Sequence, residues 1–334
     1  MISGANLALG IDPNTPLSVD EMVECTRLAE ARNFAATWVA EGRRGDVFAL
    51  LTALAASTTK IRLGAGIVPV LVRSPWVVGM AAAVVDEVSR QRFMLGLGAG
   101  HKSVAEDRHG LAYDRPSQRM REVTEIVRRT LSGRAVNFQG EIFRLREARL
   151  SRQPLRHDVP IYIAGIGPRV LELGGEIADG IFLIFPTEGS IGRALAHVRA
   201  GAERAGKDSQ SIDVVAYVFT CVAADRDAAV ESSRRTIAYF GRLPHYRRLF
   251  TQEGFAAEAK ALEAAWDHGD ATRAVSVVTD AMVSALSASG TADDVAAKLQ
   301  SLLDAGLKQA VLFPFPAAGG AKEAIVSTIK ALSS

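Results

Sequence analysis

The sequence predicts an α/β fold, a single (β/α)8 barrel domain that spans residues 1–334. Short apolar segments alternate with stretches of helical period, their spacing is even, and the chain ends on a strand–helix pair. A doubly wound parallel sheet is the alternative, because it is built from the same repeating unit. The even spacing and the terminal strand–helix pair favour the barrel.

Four strands are predicted in the first half of the chain, at residues 7–11, 34–39, 61–67 and 93–97. Ser18 and Glu21 form a capping box before the first helix, and Asp46 begins the second. Helices are expected over 78–87 and 117–131. The segment 101–116 contains Gly110 and Pro116 and has no helical period, so it is expected to be a loop.

The other four strands are predicted at residues 161–164, 181–184, 212–222 and 310–313. Two additions interrupt the repeat. Residues 136–145 alternate in polarity and indicate an inserted hairpin, and extra helices are expected after the seventh strand, over 225–240, 256–268 and 271–286. The remaining helices are predicted over 168–177, 190–206, 292–305 and 322–332.

Composition narrows the functional classes. The 334 residues are 48% hydrophobic with a formal net charge of +2, and the basic residues are scattered, so no nucleic-acid partner is expected. No signal segment or membrane-length apolar run is visible, which predicts a cytoplasmic protein without a membrane partner. Cys25 and Cys221 lack metal-ligand spacing, so both are expected to be buried, and no metal site is predicted.

Three passages share one design, an apolar strand followed by Gly-x-Gly and then by polar or basic residues. They are 61–69, 92–102 and 161–168. Glycines at a strand end allow backbone to approach a flat or anionic ligand, so the three strands are expected to open onto one ligand site. For 96–100 a dinucleotide fingerprint and a turn without a ligand are the alternatives. The spacing there is Gly-x-Gly-x-Gly, and no helix is expected to follow directly, which argues against the fingerprint.

In a barrel the site lies at the carboxyl ends of the strands. The residues expected there are Asp12, Glu41, 67–69, 98–102, 165–169, Phe185, Pro186 and Pro314.

On these residues the sequence resembles the bacterial-luciferase-like superfamily, and is most similar to its branch that uses the deazaflavin coenzyme F420, including methylenetetrahydromethanopterin reductases. The resemblance is carried by Gly-Ala-Gly-Ile-Val-Pro at 64–69 with Arg-Ser-Pro at 73–75, by residues 86–101, and by residues 160–180. It spans nearly the whole chain.

The resemblance implies a set of cofactor contacts. A non-proline cis peptide at Gly66–Ile67 would back the ring, Glu41 would bond the ring or its ribityl chain, and the loop after the fifth strand would hold the phosphate. The implied cofactor-binding residues are Asp12, Glu41, Gly66, Ile67, Pro69, Gly98, Ala99, Gly100, Val104, Ala164, Gly165, Ile166, Gly167, Arg169 and Val170. The phosphate loop also makes physical sense, because Gly-x-Gly-Pro opening a helix offers free N–H groups.

His101 and Glu41 are the predicted catalytic residues. His101 is a candidate proton donor or substrate ligand, with capping of its loop as the alternative. Asp12 could act as an acid–base or positioning group, and the alternative is that it only forms a turn before Pro13. Sugar-phosphate and alcohol dehydrogenases of the family carry His where this chain has Gly42, and Glu where it has His101, which favours a reductase.

The function expected from the resemblance is hydride transfer between F420 and a small-molecule substrate. An FMN-dependent monooxygenase, fed by a separate flavin reductase, is the alternative, and a barrel that binds a metabolite without catalysis is a third possibility. The family habit implies a homodimer. A basic rim of Arg43, Arg44, Arg73, Lys102, Arg115 and Arg169 would suit the polyglutamate tail of F420, although ordinary surface arginines would look the same. Residues 239–250 are expected to line the substrate pocket or to form an oligomer contact.

Overall fold

Eight parallel strands close a barrel in the computed structural model, which describes residues 3–12, 14–43 and 45–333. The strands are β1 (Leu7–Ile11), β2 (Ala36–Val39), β3 (Arg62–Pro69), β4 (Phe93–Gly98), β5 (Val136–Gln139), β6 (Arg144–Ala148), β7 (Ile161–Ala164), β8 (Gly180–Ile184), β9 (Asp213–Val222), β10 (Ala288–Gly290) and β11 (Gln309–Pro314). Around the barrel the order is β1, β2, β3, β4, β7, β8, β9 and β11, and β11 pairs back onto β1. The predicted (β/α)8 barrel is therefore confirmed.

The helices are α1 (Val19–Ala31), α2 (Val47–Ser57), α3 (Pro75–Val88), α4 (Lys102–His109), α5 (Pro116–Leu131), α6 (Pro168–Ile177), α7 (Glu188–Arg204), α8 (Arg226–Phe240), α9 (Pro244–Gln252), α10 (Ala256–Asp267), α11 (Ala271–Val277), α12 (Asp280–Leu286), α13 (Ala292–Asp304) and α14 (Ala321–Leu332). The capping box of Ser18 with Glu21 and the cap at Asp46 are both present. Among the described residues, no helix combines the length and apolar composition needed to cross a bilayer.

Two predictions about local structure were wrong, and two elements were missed. The segment after β4 is not a loop throughout, because α4 occupies Lys102–His109 before Gly110 ends it at φ 65°. α4 buries only Ala105, so it has no apolar period to detect. The stretch 271–286 is two helices, because Thr279 caps α12. The short strand β10 and the helix α9 were not predicted.

The barrel interior is filled by aromatic side chains. Trp38 is fully buried and lies edge-on to Tyr162 and Phe182, with ring centroids 5.1 and 4.9 Å away. A Cβ on Gly64 would lie 2.1 Å from the Trp38 ring, so this glycine makes room for the indole.

Cys25 and Cys221 are buried free thiols, and burial raises the pKa of each to about 11.

Two insertions decorate the barrel. The predicted hairpin is confirmed as the antiparallel pair of β5 and β6. Between β9 and β10, helices α8 to α12 form a second apolar cluster, in which Tyr246 and Phe250 are buried with Phe185 and Phe219. Phe185 follows β8 and Phe219 lies within β9, so the insertion packs against one side of the barrel's C-terminal face.

Candidate active site at the C-terminal face

The end of β3 is irregular, and its peptide bond Gly66–Ile67 is cis, where the resemblance placed it. The register of β3 against β4 shifts between Ala65 and Val68, so the strand bulges at this bond. The buried hydroxyl of Tyr217, on β9, donates to the Gly66 carbonyl at 2.6 Å. Strands from both sides of the barrel thus define one feature, the bulge corner, made of residues 65–68.

The glycines of β4 make room for the bulge corner. A Cβ on Gly96 would lie 2.2 Å from the Ala65 carbonyl oxygen, and one on Gly98 would lie 2.6 Å from Cδ1 of Ile67. The Gly98 carbonyl also accepts a hydrogen bond from the Val70 amide at 2.9 Å. At Gly96 and Gly98 the space left by the missing side chain is therefore filled by neighbouring protein atoms, and the expected contact of this backbone with a ligand stays a prediction.

The loop after β7 is built differently. It adjoins the bulge corner, since Gly98 of β4 pairs with Ala164 of β7. A Cβ on Gly165 would lie 2.3 Å from Val170, which closes the turn, but one on Gly167 would meet nothing within 4 Å. Gly167 caps α6 without a side-chain hydrogen bond. We call residues 165–170 the open corner.

The open corner suits an anion. Helix α6 places its positive end at Gly167. Pro168 has no N–H, and the amides of Val170 and Leu171 donate to the Gly167 carbonyl at 3.1 Å, so among the described residues the Arg169 amide is the first-turn donor left for a ligand. Arg169 is exposed and makes no ion pair with any described residue. Phosphate is the ligand chemistry that such a corner binds best.

The carboxylate of Glu41 is held by Arg73. The Arg73 guanidinium donates to Glu41 from Nε at 3.1 Å and from Nη2 at 2.8 Å, and it also bonds Asp46 at 2.6 Å. Burial alone would lower the pKa of Arg73, but the bonds to Glu41 and Asp46 outweigh it and raise that pKa. The Glu41 amide donates to the Ile67 carbonyl at 3.2 Å, so this ion pair is tied to the bulge corner.

Asp12 lies at the end of β1, and its side chain forms a turn. Its Oδ1 accepts from the amide and the side-chain nitrogen of Asn14, at 2.8 and 2.6 Å. This is the alternative weighed from the sequence. The Asp12 charge also acts on the barrel interior. Burial raises the pKa of Tyr217, and the negative charge of Asp12 raises it further.

His101 follows the glycines of β4 as the N-cap residue of α4. Its side chain makes no capping hydrogen bond, so the structure does not support the capping alternative. The ring instead stacks on His245, with centroids 4.9 Å apart and planes 22° apart, and lies 6.0 Å from the Tyr246 ring. Burial, followed by the charge of Arg108, lowers the pKa of His101 below its usual value.

His245 and Tyr246 were missed as individual site residues. Both lie in the first turn of α9, and burial lowers the pKa of His245 to about 4, with the His101 charge as the next cause. The only sequence signal was the aromatic-rich stretch 239–250, which was expected to line the substrate pocket or to form an oligomer contact. The structure packs its Tyr246 and Phe250 against the barrel and brings His245 to His101.

The other predicted contacts gather at the same face. Pro69, Ala99, Gly100, Val104 and Ile166 are all partly exposed there, beside the bulge corner and the open corner. Gly100 has φ 70°, and a Cβ on it would lie 3.1 Å from Pro69.

The basic rim is only partly available. Arg73 is committed to Glu41 and Asp46, and Arg115 pairs with Asp114 at 3.0 Å. Both guanidinium groups are therefore already paired with carboxylates, and the basic rim stays a prediction. Lys102 and Arg169 are exposed, whereas Arg44 lies outside the described residues.

The barrel, the cis bulge in β3 and the Gly-x-Gly-Pro loop after β7 together indicate the class of protein. The chain belongs to the luciferase-like monooxygenase family, whose model matches residues 5–309. Within that family it is similar to enzymes named 5,10-methylenetetrahydromethanopterin reductase. The one from Archaeoglobus fulgidus is 34% identical over 91% of this chain and 92% of its own length. The one from Methanolobus tindarius is 31% identical over 91% and 93%.

The solved structures agree. The coenzyme F420-dependent tetrahydromethanopterin reductase of Methanopyrus kandleri superposes with a TM-score of 0.87 and 26% identity, covering 99% of this chain and 98% of that one.

Proposed function

We propose that this protein is an oxidoreductase that transfers a hydride between coenzyme F420 and a small organic substrate, as a reductase rather than an alcohol dehydrogenase. The observation that carries the proposal is the TM-score of 0.87 to an F420-dependent reductase over 99% of the chain. The names of the relatives suggest the substrate class, a one-carbon group carried on a reduced pterin.

The open corner is proposed to bind the phosphate of this cofactor, because the space beside Gly167 is open and the exposed Arg169 is only two residues away. The bulge corner is proposed to lie against the ring. The Tyr217 hydroxyl bonds the Gly66 carbonyl and the Ile67 side chain packs over Gly98, so both hold the corner in one shape. When bound, F420 supplies the hydride chemistry, and the chain supplies orientation and exclusion of water. The residues proposed to hold F420 are the separate cofactor-binding residues that the resemblance implies, of which Asp12 is the first and Val170 the last.

His101 is proposed to contact the substrate. Its lowered pKa favours the neutral imidazole at pH 7, which can accept a hydrogen bond from the substrate, or accept a proton and so become cationic. The carboxylate of Glu41 is proposed to hold Arg73 in place and to position the cofactor. Because Arg73 occupies its oxygens, Glu41 is better suited to positioning than to proton transfer.

The alternative is an FMN-dependent monooxygenase, which the family description favours. The test is a parallel titration of the purified protein with F420 and FMN, followed by absorbance and fluorescence. We expect tighter binding of F420, and oxidation of reduced F420 only when a reduced-pterin substrate is present. Oxygen consumption with reduced FMN, supplied by a separate flavin reductase, would instead establish the monooxygenase.

The homodimer is also a proposal, and the outer face of α2 and α3 supports it. Residues 47–57 and 75–85 contain no charged side chain. Four exposed residues follow one stripe of α3, namely Val77, Met80, Val84 and Val88, at 43, 40, 55 and 36% exposure. An outer barrel helix facing water would carry charge there, so a second copy of the chain is the occupant we propose.

Sedimentation velocity tests the dimer. We expect Val84→Glu to give a folded monomer, because a carboxylate would be buried between the two copies. Leu195→Glu, at a site 36% exposed on α7, is the matched control and leaves the dimer intact. A monomeric wild-type protein would contradict the proposal.

We further propose a cytoplasmic location and one domain over 1–334. The two buried free thiols are in keeping with a reducing compartment.

A further inference from the structure

Two half-buried imidazoles at the C-terminal face have no polar side-chain partner among the described residues. Neither the His101 ring nor the His245 ring makes a hydrogen bond or an ion pair with them, and the two rings stack on each other beside the ring of Tyr246. The rings of His157, His197 and His268, in contrast, all approach an oxygen within 3.2 Å. Both rings are partly exposed, and the fully buried polar atoms without a partner in the described residues do not include their nitrogens. Water therefore reaches these nitrogens, and a ligand can take its place.

The charges that act on this pair are positive. Arg108 of α4 acts on His101, and Arg247 and Arg248 of α9 act on His245. Arg247 is already bound to Glu263 at 2.5 Å. Arg108 and Arg248 are exposed and have no ion-pair partner among the described residues.

Acidic groups do not neutralise these charges. α9 contains no acidic residue, and in α4 Glu106 contacts Lys102 at 3.9 Å and the Tyr113 amide at 3.5 Å. Asp107, the other acidic residue of α4, is exposed. Tyr246 stays neutral, because burial raises its pKa. The pair therefore lies in an excess of positive charge.

We propose that His101 and His245, with Arg108 and Arg248, bind an anionic group, a carboxylate or a phosphate, of a molecule that takes part in the reaction. We call these four residues the histidine mouth. The inference rests on the proposed function in one respect, namely that the anion belongs to the substrate or to the γ-glutamyl tail of F420. Both sources carry the same chemistry, and the experiment separates them.

Binding at the histidine mouth is expected to depend on pH. Without a ligand the pKa values of both imidazoles are lowered, that of His245 to about 4. A bound anion favours the charged imidazole and raises these values, so binding takes up protons. Affinity then rises as pH falls through the raised pKa values, and levels off only below the pKa of the free pair.

The first arm of the experiment uses sulfate as the probe, because its charge is constant between pH 5 and 8. Calorimetry in two buffers of different ionisation enthalpy measures both affinity and proton uptake, and the C2–H NMR signals of the two histidines report their pKa values. We expect sulfate affinity to rise by up to about tenfold per pH unit for each proton taken up.

Substitutions assign the site. His245→Phe keeps a ring against His101 but removes the titratable nitrogens of residue 245, so it is expected to abolish the part of the proton uptake that belongs to His245 and to leave the part that belongs to His101. Arg248→Gln is expected to weaken sulfate binding about tenfold, as for a lost charge-assisted bond. Arg199→Gln is the matched control, because Arg199 is exposed on α7 and has no ion-pair partner among the described residues. It leaves affinity unchanged.

The second arm identifies the source of the anion. Affinities of F420 species with one and with several γ-glutamyl residues are compared in the wild type and in Arg248→Gln, alongside glutarate as a free dicarboxylate. A tail site makes the long-tailed species bind more tightly in the wild type only. A substrate site leaves tail length without effect, while glutarate competes with the reduced-pterin substrate and not with F420.

Each outcome has one meaning. Sulfate affinity that is independent of pH and equal in wild type and Arg248→Gln overturns the inference, even if F420 binds and reacts. Failure of F420 to bind, while sulfate binds with proton uptake, overturns the proposed function and leaves the anion site standing. Unshifted NMR pKa values on saturation with sulfate also overturn the inference.

Discussion

The end of strand β4, which packs against the bulge corner, and the open corner follow the same Gly-x-Gly pattern, but their glycines have different surroundings. At Gly96 and Gly98 a Cβ would collide with Ala65 and Ile67 at 2.2 and 2.6 Å. At Gly167 a Cβ would meet nothing within 4 Å. The first glycines admit neighbouring protein atoms, and the last one borders open space.

The difference teaches that a glycine motif at a strand end marks a steric demand without saying which atoms make it. At Gly96 and Gly98, beside the bulge corner, the demand comes from the folded chain, so a substitution should act on stability. At Gly167, unlike Gly165 with its Val170 neighbour, no protein atom makes the demand, so a substitution should act on ligand binding. The two effects are separable by experiment.

The largest effect is expected from Gly96→Ala. The added methyl group would overlap the Ala65 carbonyl oxygen, and a backbone atom inside a closed barrel cannot move aside without disturbing the sheet. We expect the free energy of unfolding to fall by about 3 kcal/mol, measured by urea denaturation. Gly192→Ala is the control, since a Cβ there meets nothing within 4 Å on α7. Equal stability of the two variants would show that the bulge corner is pliable.

Tyr217→Phe is expected to have the next largest effect. It removes the 2.6 Å hydrogen bond to the Gly66 carbonyl and leaves a buried acceptor without a partner, which costs about 1–2 kcal/mol of stability. Because this bond fixes the bulge corner, F420 affinity should fall as well.

Tyr162→Phe provides the matched control for that prediction. Tyr162 is also buried in the barrel, but its hydroxyl bonds Asp213 at 3.1 Å, where β9 begins, on the opposite face. It should lose stability and keep F420 affinity. If both variants lose affinity equally, the bond to Gly66 has no special part in binding.

The sequence was sufficient for the barrel, because each strand is an apolar run and each outer helix has a detectable period or cap. It was insufficient for α4, which is polar and buries little, and for α9, whose apolar residues face an insertion rather than the barrel. Local patterns report an element only when one face is buried along its length.

The candidate site shows the same limit. Position at the C-terminal face was predictable for His101 and Glu41, since both directly follow strands. Their partners were not, because Arg73 and His245 come from other loops and only the fold brings them close. The glycine motifs were visible, but the atoms that fill the space at Gly98 belong to a neighbouring strand.

Gly167→Ala is expected to have the smallest effect and divides the two corners most sharply. The backbone of Gly167, at φ −95° and ψ 151°, accepts alanine, and the added Cβ contacts no protein atom, so stability should change by less than about 0.5 kcal/mol. The methyl group would nevertheless occupy the approach to the amides of α6. We expect F420 affinity to fall about fivefold, close to 1 kcal/mol, by fluorescence titration. The riboflavin-level deazaflavin lacking the phosphate serves as the control ligand, and its affinity should not change. A fall for both ligands would mean that the open corner contacts the ring rather than the phosphate, and the same fall in stability as Gly96→Ala would erase the distinction between the corners.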